Sequence, residues 1–210
     1  MRPDATNHVL VVIQARSGSS LLTRILHEHG LWMGEHRGMV GPGWGYETYE
    51  SACVHKYMEV DNITPKGLRR VFLSEIPRDT RAVLKISIQM YKQWIMALPE
   101  ACFVFMVRDA AAVAESLWRK GRTDLDCDAM LPHAKLWNDR IYWSSVITRR
   151  PLVLMSRVME GDYSSLAVAM DACGMKMDRR IVDSCIDRNL WCCQPDKHEI
   201  ETLEKHCGKF

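Results

Sequence analysis

The stretch Val9-Leu10-Val11-Val12-Ile13-Gln14-Ala15-Arg16-Ser17-Gly18-Ser19-Ser20-Leu21-Leu22 decides the fold. An unbroken apolar run is followed by a short Gly/Ser turn carrying one arginine. Leu21, Leu22, Ile25 and Leu26 then form an apolar stripe at helical spacing. That order predicts a buried strand, a tight turn and an amphipathic helix. The first N–H groups of such a helix have no intrahelical partner, and its dipole adds partial positive charge, so an anion fits there. Ser17, Ser19 and Ser20 add hydroxyl donors, and Arg16 adds a forked, permanent charge. The same residues also suit an ordinary strand-to-helix turn capped by Ser17 or Ser19. An ATPase loop of the form G-x-x-x-x-G-K-[ST] does not fit: Ile13 stands at the first glycine position and Ser19 at the lysine.

Working outward, four runs read as buried strands: His8–Ile13, Arg81–Ile86, Cys102–Val107 and Pro151–Met155. They are continuously apolar rather than alternating, which predicts strands covered on both faces, as in a parallel sheet. Helical periodicity lies between them. Ala110, Val113, Ala114, Leu117 and Trp118 make one stripe, and Trp137, Ile141 and Ser144–Ser145 mark a longer helix from about Pro132 to Thr148. Alternating strands and helices predict a three-layer α/β/α fold around a mainly parallel sheet, with residues 1–210 as one domain. The segment Gly34 to Gly45, with five glycines and a proline, reads as a loop, and Lys197 to Lys205 as a polar surface helix.

Composition limits the partners. Lys plus Arg number 28 against 26 for Asp plus Glu, a net charge of +2 over 210 residues. A partner gripped through a bulk positive field, such as nucleic acid, is not expected, so any anion must be held by a local arrangement. The eight cysteines are scattered through a chain too apolar to need a disulfide framework, so reduced thiols and a cytoplasmic setting are expected. Cys192-Cys193 with His198, His206 and Cys207 matches none of the usual zinc spacings, and no metal is expected. No run approaches the roughly 20 apolar residues of a membrane span, and no secretory leader is evident.

A second anion-binding signal is Val107-Arg108-Asp109 followed by a helix carrying Ser116. Arg108 ends a buried strand, so its guanidinium emerges at the carboxyl edge of the sheet, where open α/β folds bind ligands. Asp109 is a plausible N-cap, and Ser116 falls about two turns on, off the apolar stripe. A salt-bridged arginine and a solvated serine would look the same when taken alone.

Together these motifs resemble the sulfotransferases that use 3′-phosphoadenosine 5′-phosphosulfate. Arg16-Ser17-Gly18-Ser19-Ser20-Leu21-Leu22 is similar to their 5′-phosphosulfate loop, and Val107-Arg108-Asp109 with Ser116 to their 3′-phosphate motif. Met33-Gly34-Glu35 and Gly45-Tyr46-Glu47 resemble stretches of bacterial and tyrosylprotein-type members, and Val83-Leu84-Lys85 resembles the family strand that ends in lysine. The likeness runs in order from His8 to about Lys120 and then weakens.

The resemblance implies a sulfotransferase moving a sulfuryl group from that donor to a hydroxyl or amine of a small-molecule or peptide acceptor, leaving 3′-phosphoadenosine 5′-phosphate and needing no metal. It implies that Arg16 and the loop amides hold the 5′ phosphate with Ser17, Gly18, Ser19 and Ser20. Arg108 and Ser116 would hold the 3′ phosphate, and Lys85 would reach the sulfonate or the bridging oxygen. For the base it points to Glu35, then Glu47, then His36; cytosolic members use a histidine where this chain has Ser87. The C-terminal R-K-G of cytosolic members has no clear counterpart; Arg119, Lys120 and Arg122 could supply charge in its place or bind an acidic acceptor, and they equally suit a solvated helix end. Trp32, Trp44, Tyr46, Tyr49 and Tyr57 suggest an aromatic-walled acceptor pocket, although tryptophans are just as often core residues. The competing readings are a small P-loop kinase or phosphotransferase, which lacks its glycine and lysine here, and a non-catalytic nucleotide-binding module.

Overall fold

The computed structural model describes residues 8–33, 63–119 and 126–186. Among them, four strands form one parallel sheet: β1 (Val9–Ile13), β2 (Val83–Ser87), β3 (Cys102–Val107) and β4 (Leu152–Leu154), in the order β2-β1-β3-β4. Val9 stands opposite Val83 on one side and Cys102 on the other, so the three longer strands start in step. The helices are α1 (Ser19–Glu28), α2 (Pro65–Glu75), α3 (Tyr91–Ala97, entered through a 3-10 turn at Ile88–Met90), α4 (Ala110–Arg119), α5 (Cys127–Thr148), α6 (Met155–Glu160), α7 (Ser164–Ala172) and α8 (Arg179–Cys185).

The pleat explains why the strands are apolar throughout. Val9, Val11, Val104, Met106 and Val153 point to one face, where Leu22, Ile25 and Leu26 of α1 and residues of α6, α7 and α8 cover them. Leu10, Val12, Phe103 and Phe105 point to the other, against Leu68 and Phe72 of α2, Trp94 of α3 and Ile141 of α5. Phe103 and Phe105 are fully buried, each contributing about 1.5–3 kcal/mol of transfer free energy. The three-layer α/β/α expectation is therefore met by a sheet with helices on both faces.

Several boundaries moved, each for a local reason. The second strand runs on to Ser87, so Lys85 sits in mid-strand rather than at its end, on the same face as Val83 and toward α1. Helix α5 starts at Cys127, five residues before Pro132, because Asp126 caps it: its Oδ1 accepts from the Ala129 N–H at 2.7 Å. On α4 the inward arc takes in Ala112 and Ser116 as well as Ala110, Val113 and Ala114, which rotates Trp118 outward to 53% exposure. Gly34 to Gly45 and Lys197 to Lys205 lie outside the described residues.

Candidate active site

The sheet order places β1 between β2 and β3. The chain leaves β1 toward one neighbour and returns on its other side, so the carboxyl ends of β1 and β3 flank a topological switch point. The two motifs singled out in the sequence emerge there, side by side.

After β1 the backbone turns through Arg16, at φ 65°, and Gly18, at φ 91°. The left-handed region costs an L-residue with a Cβ about 1–2 kcal/mol, so Arg16 is held in a strained position while Gly18 takes it freely. Ser17, fully buried, closes the turn by donating its hydroxyl to the Gln14 carbonyl at 2.8 Å. Neither Ser17 nor Ser19 caps the helix. Gly18 is the N-cap and no side chain accepts from the first turn, whereas Thr64, Asp126 and Asp178 each cap their own helices. The amino end of α1 is thus without a side-chain acceptor, the arrangement that suits a bound oxyanion.

After β3, Arg108 is 7% exposed and Asp109 caps α4, its Oδ1 accepting from the Ala112 N–H at 2.8 Å. The Asp109 N–H donates to Ser156 Oγ of α6 at 3.2 Å, which holds the turn against the helix beyond β4. Two links join this end to the β1 loop: Arg108 Nη1 donates to the Arg16 carbonyl at 3.2 Å, and Arg16 Nε donates to Ser116 Oγ at 3.0 Å. Two guanidinium groups and a buried hydroxyl therefore converge at one strand edge. Like charges repel, and burying them costs several kcal/mol unless an anion or acceptors compensate. An oxyanion between them would relieve both terms. From β2, Lys85 Nζ reaches Ser20 Oγ at 3.4 Å and brings a third cation to the first turn of α1.

Two residues given no role from sequence support this cluster. Asn138 of α5, 2% exposed, accepts from Gln14 Nε2 at 2.6 Å and donates to the Arg108 carbonyl at 2.7 Å. One amide thus ties the end of β1 to the end of β3. The signal was present: Asn138 shares a helical face with Ala134, Ile141 and Ser145, and a polar residue on a buried face needs partners.

The structure brings together Arg16, Ser17, Gly18, Ser19, Ser20, Lys85, Arg108 and Ser116. Glu35, His36 and Glu47, like Trp44, Tyr46, Tyr49 and Tyr57, lie outside the described residues, as do Lys120, Arg122 and the Cys192-Cys193 group. Arg119 pairs with Glu115 one turn earlier on α4. Among the described residues no three His, Cys, Asp or Glu side chains gather as metal ligands, and no helix is long and apolar enough to cross a membrane.

A cluster of cations thus stands at the switch point of an α/β sheet, beside an open helix end. The fold is the sulfotransferase fold. The chain superposes on the sulfotransferase domain from the curacin biosynthetic pathway with a TM-score of 0.56 at 11% identity, over 97% of this chain and 98% of that one. On the sulfotransferase domain of the Synechococcus PCC 7002 olefin synthase the TM-score is 0.51 at 16% identity, over 96% and 86%. On sulfotransferase STF1 from Mycobacterium tuberculosis H37Rv it is 0.50 at 12% identity, over 95% and 76%. No family model and no curated protein matches the sequence.

Proposed function

We propose that this protein is a sulfotransferase that uses 3′-phosphoadenosine 5′-phosphosulfate and an acceptor hydroxyl or amine. The observation that carries the proposal is the joining of Arg16, Ser116 and Arg108 at the switch point. A donor charged at both its 5′ and 3′ ends needs two grips, and the side-by-side placement of the Arg16 and Arg108 loops supports that reading. Arg16, with the open first turn of α1, holds the 5′ phosphate, while Arg108 and Ser116 hold the 3′ phosphate. Ser116 Oγ already accepts from Arg16, so its own O–H remains to be donated to a phosphate oxygen.

The donor supplies an activated sulfur–oxygen bond whose cleavage leaves charge on the phosphate. Lys85, projecting from β2 to the first turn of α1, is placed to stabilise that charge, and donors aimed at developing charge are among the largest catalytic terms. For the acceptor's proton the resemblance offers Glu35.

Thermal shift tests the reading. 3′-Phosphoadenosine 5′-phosphate should stabilise the protein, and ATP with magnesium should not match it. Stabilisation by ATP and magnesium alone would overturn the proposal in favour of a phosphotransferase. Binding of the bisphosphate without transfer from a labelled sulfate donor to any acceptor would favour a non-catalytic nucleotide-binding module.

A further inference from the structure

Helix α5 is apolar on two opposite sides. Its inward side sets Ala134, Ile141 and Tyr142 against the rest of the molecule, where each is buried. Its outward side carries Pro132, Leu136, Trp143 and Ile147, all exposed: Leu136 at 48%, Trp143 at 53% and Ile147 at 78%. These four follow at spacings of four, seven and four residues, with Asp139 and Arg140 in the wider gap, so all six lie along one side of the helix. At about 1.5 Å per residue the row is roughly 22 Å long. Among the described residues the other exposed large apolar side chains, Leu73, Met96, Trp118 and Val168, stand one to a helix on α2, α3, α4 and α7. Scattered exposure of that kind is ordinary. A contiguous apolar row on a helix already buried on its other side marks a surface that something covers.

The row is complementary to its own reverse. About a point midway between Asp139 and Arg140, Leu136 is mirrored by Trp143 and Pro132 by Ile147, while Asp139 is mirrored by Arg140. Two copies of α5 laid antiparallel across a two-fold axis at that point set apolar residues against apolar ones and each charge against its opposite. In a two-fold contact residue i meets j and j meets i, so a surface fits itself only when its pattern has this symmetry. Spacings of three and four residues also suit antiparallel helices that interdigitate at a small crossing angle. The Arg140 guanidinium is stacked 4.6 Å from the centre of the Trp137 ring. Stacking holds its plane and leaves its edge N–H groups for a carboxylate. A lipid surface is the poorer match, because its acyl layer would take Asp139 and Arg140 from water without partners.

We propose that the chain forms a homodimer through antiparallel pairing of α5 with α5 of a second copy. Leu136 packs on Trp143 of the other copy, and Pro132 on Ile147 of the other copy. At the centre Arg140 donates to Asp139 of the other copy, and every contact occurs twice. Trp143 is the largest residue of the row and its anchor, since large aromatic side chains dominate binding energy at such surfaces. The central charges mainly fix the register. One turn out of register in one direction, Asp139 would face Leu136, and Arg140 would face Lys135. One turn out in the other direction, Asp139 would face Ser144 and lose its cation. The pairing is independent of the sulfuryl-transfer reading, because α5 turns this side away from the sheet.

Sedimentation velocity on the full chain, at low salt so that exposed charges are not screened, tests the pairing. The wild-type chain should sediment as a dimer at about 100 µM. Trp143→Glu should raise the dissociation constant about 100-fold or more. Asp139→Arg and Arg140→Asp should each raise it at least about tenfold, since each sets like charges face to face twice. Mixed in equal amounts, these two charge variants should pair about as tightly as the wild type, because every acid again meets a base. The three positions are exposed, so the variants keep the fold, which unchanged circular dichroism verifies. A wild-type monomer at that concentration overturns the proposal and leaves the row to another part of this chain or to a different protein. A dimer that Trp143→Glu leaves intact overturns it too, as do charge variants that pair no better mixed than alone.

Discussion

Arg16 Nε donates to Ser116 Oγ at 3.0 Å across 100 residues of sequence, joining the loop after β1 to the second turn of α4. The contact makes one site of two motifs that could each be an ordinary turn. It also orients the Arg16 guanidinium, because Nε is engaged and the two terminal nitrogens point onward in a fixed plane.

Binding should reflect that geometry. Ser116→Ala removes an acceptor for Arg16 and a donor to the 3′ phosphate, and should weaken 3′-phosphoadenosine 5′-phosphate by about 10- to 100-fold, the range for hydrogen bonds to charged groups. Arg16→Lys keeps the charge and loses the fork, and should also weaken it at least about tenfold. Calorimetry with the bisphosphate reads both; unchanged affinity in Ser116→Ala would remove it from the site.

Lys85 is assigned to the leaving oxygen rather than to ground-state binding, so its variants should separate kcat from affinity. Lys85→Met should lower kcat about 100-fold or more, as loss of an oxyanion donor does, while bisphosphate affinity changes a few-fold at most. Equal losses in both would make Lys85 a binding residue.

Asn138 holds the ends of β1 and β3 together, and Asn138→Leu would leave Gln14 and the Arg108 carbonyl buried without their bonds. At about 1–3 kcal/mol for each stranded group, the loss of stability should reach about 2–6 kcal/mol. Urea denaturation measures it, and a loss below about 1 kcal/mol would show that the loop relaxes to find other partners.

His8 introduces a pH dependence. Burial holds its imidazole below the ordinary histidine value of 6.5; Arg69 and Arg81 act in the same direction, and Glu100 opposes. Its Nδ1 accepts from the Ala82 N–H at 3.2 Å, and its ring stands edge-on to Phe72, so the folded protein uses the neutral form. Below pH 6.5 the unfolded chain binds the proton and the folded chain does not, so stability should fall as pH drops through that value. Thermal melts from pH 7.5 to 5 check this, and His8→Asn should flatten the slope in that window.

Cys102, at the start of β3, and Cys173, just past α7, bring their sulfurs within 2.7 Å. The hydrogen bond between them pushes the Cys102 thiol down and the Cys173 thiol up. Diamide should convert the pair to one disulfide, detected as a linked peptide in a non-reducing digest and absent from Cys173→Ser. Closing a loop of that length should raise stability by about 3–4.7 kcal/mol where geometry allows. An oxidised sample without that peptide would show the two thiols to be fixed core residues.

What the sequence determined by itself was the layering and the strand–turn–helix that carries Arg16. Continuous apolar runs require cover on both faces, and an apolar run, a Gly/Ser turn and a stripe at helical spacing predict the strand, turn and helix that the structure shows. Both are local patterns, written in consecutive residues. Tertiary structure decided what spans the chain. Strand order set Arg16 beside Arg108, and Asn138 from a distant helix fastened the two strand ends. None of these has a spacing to read, because partners 30 to 124 residues apart meet only after the sheet has ordered its strands.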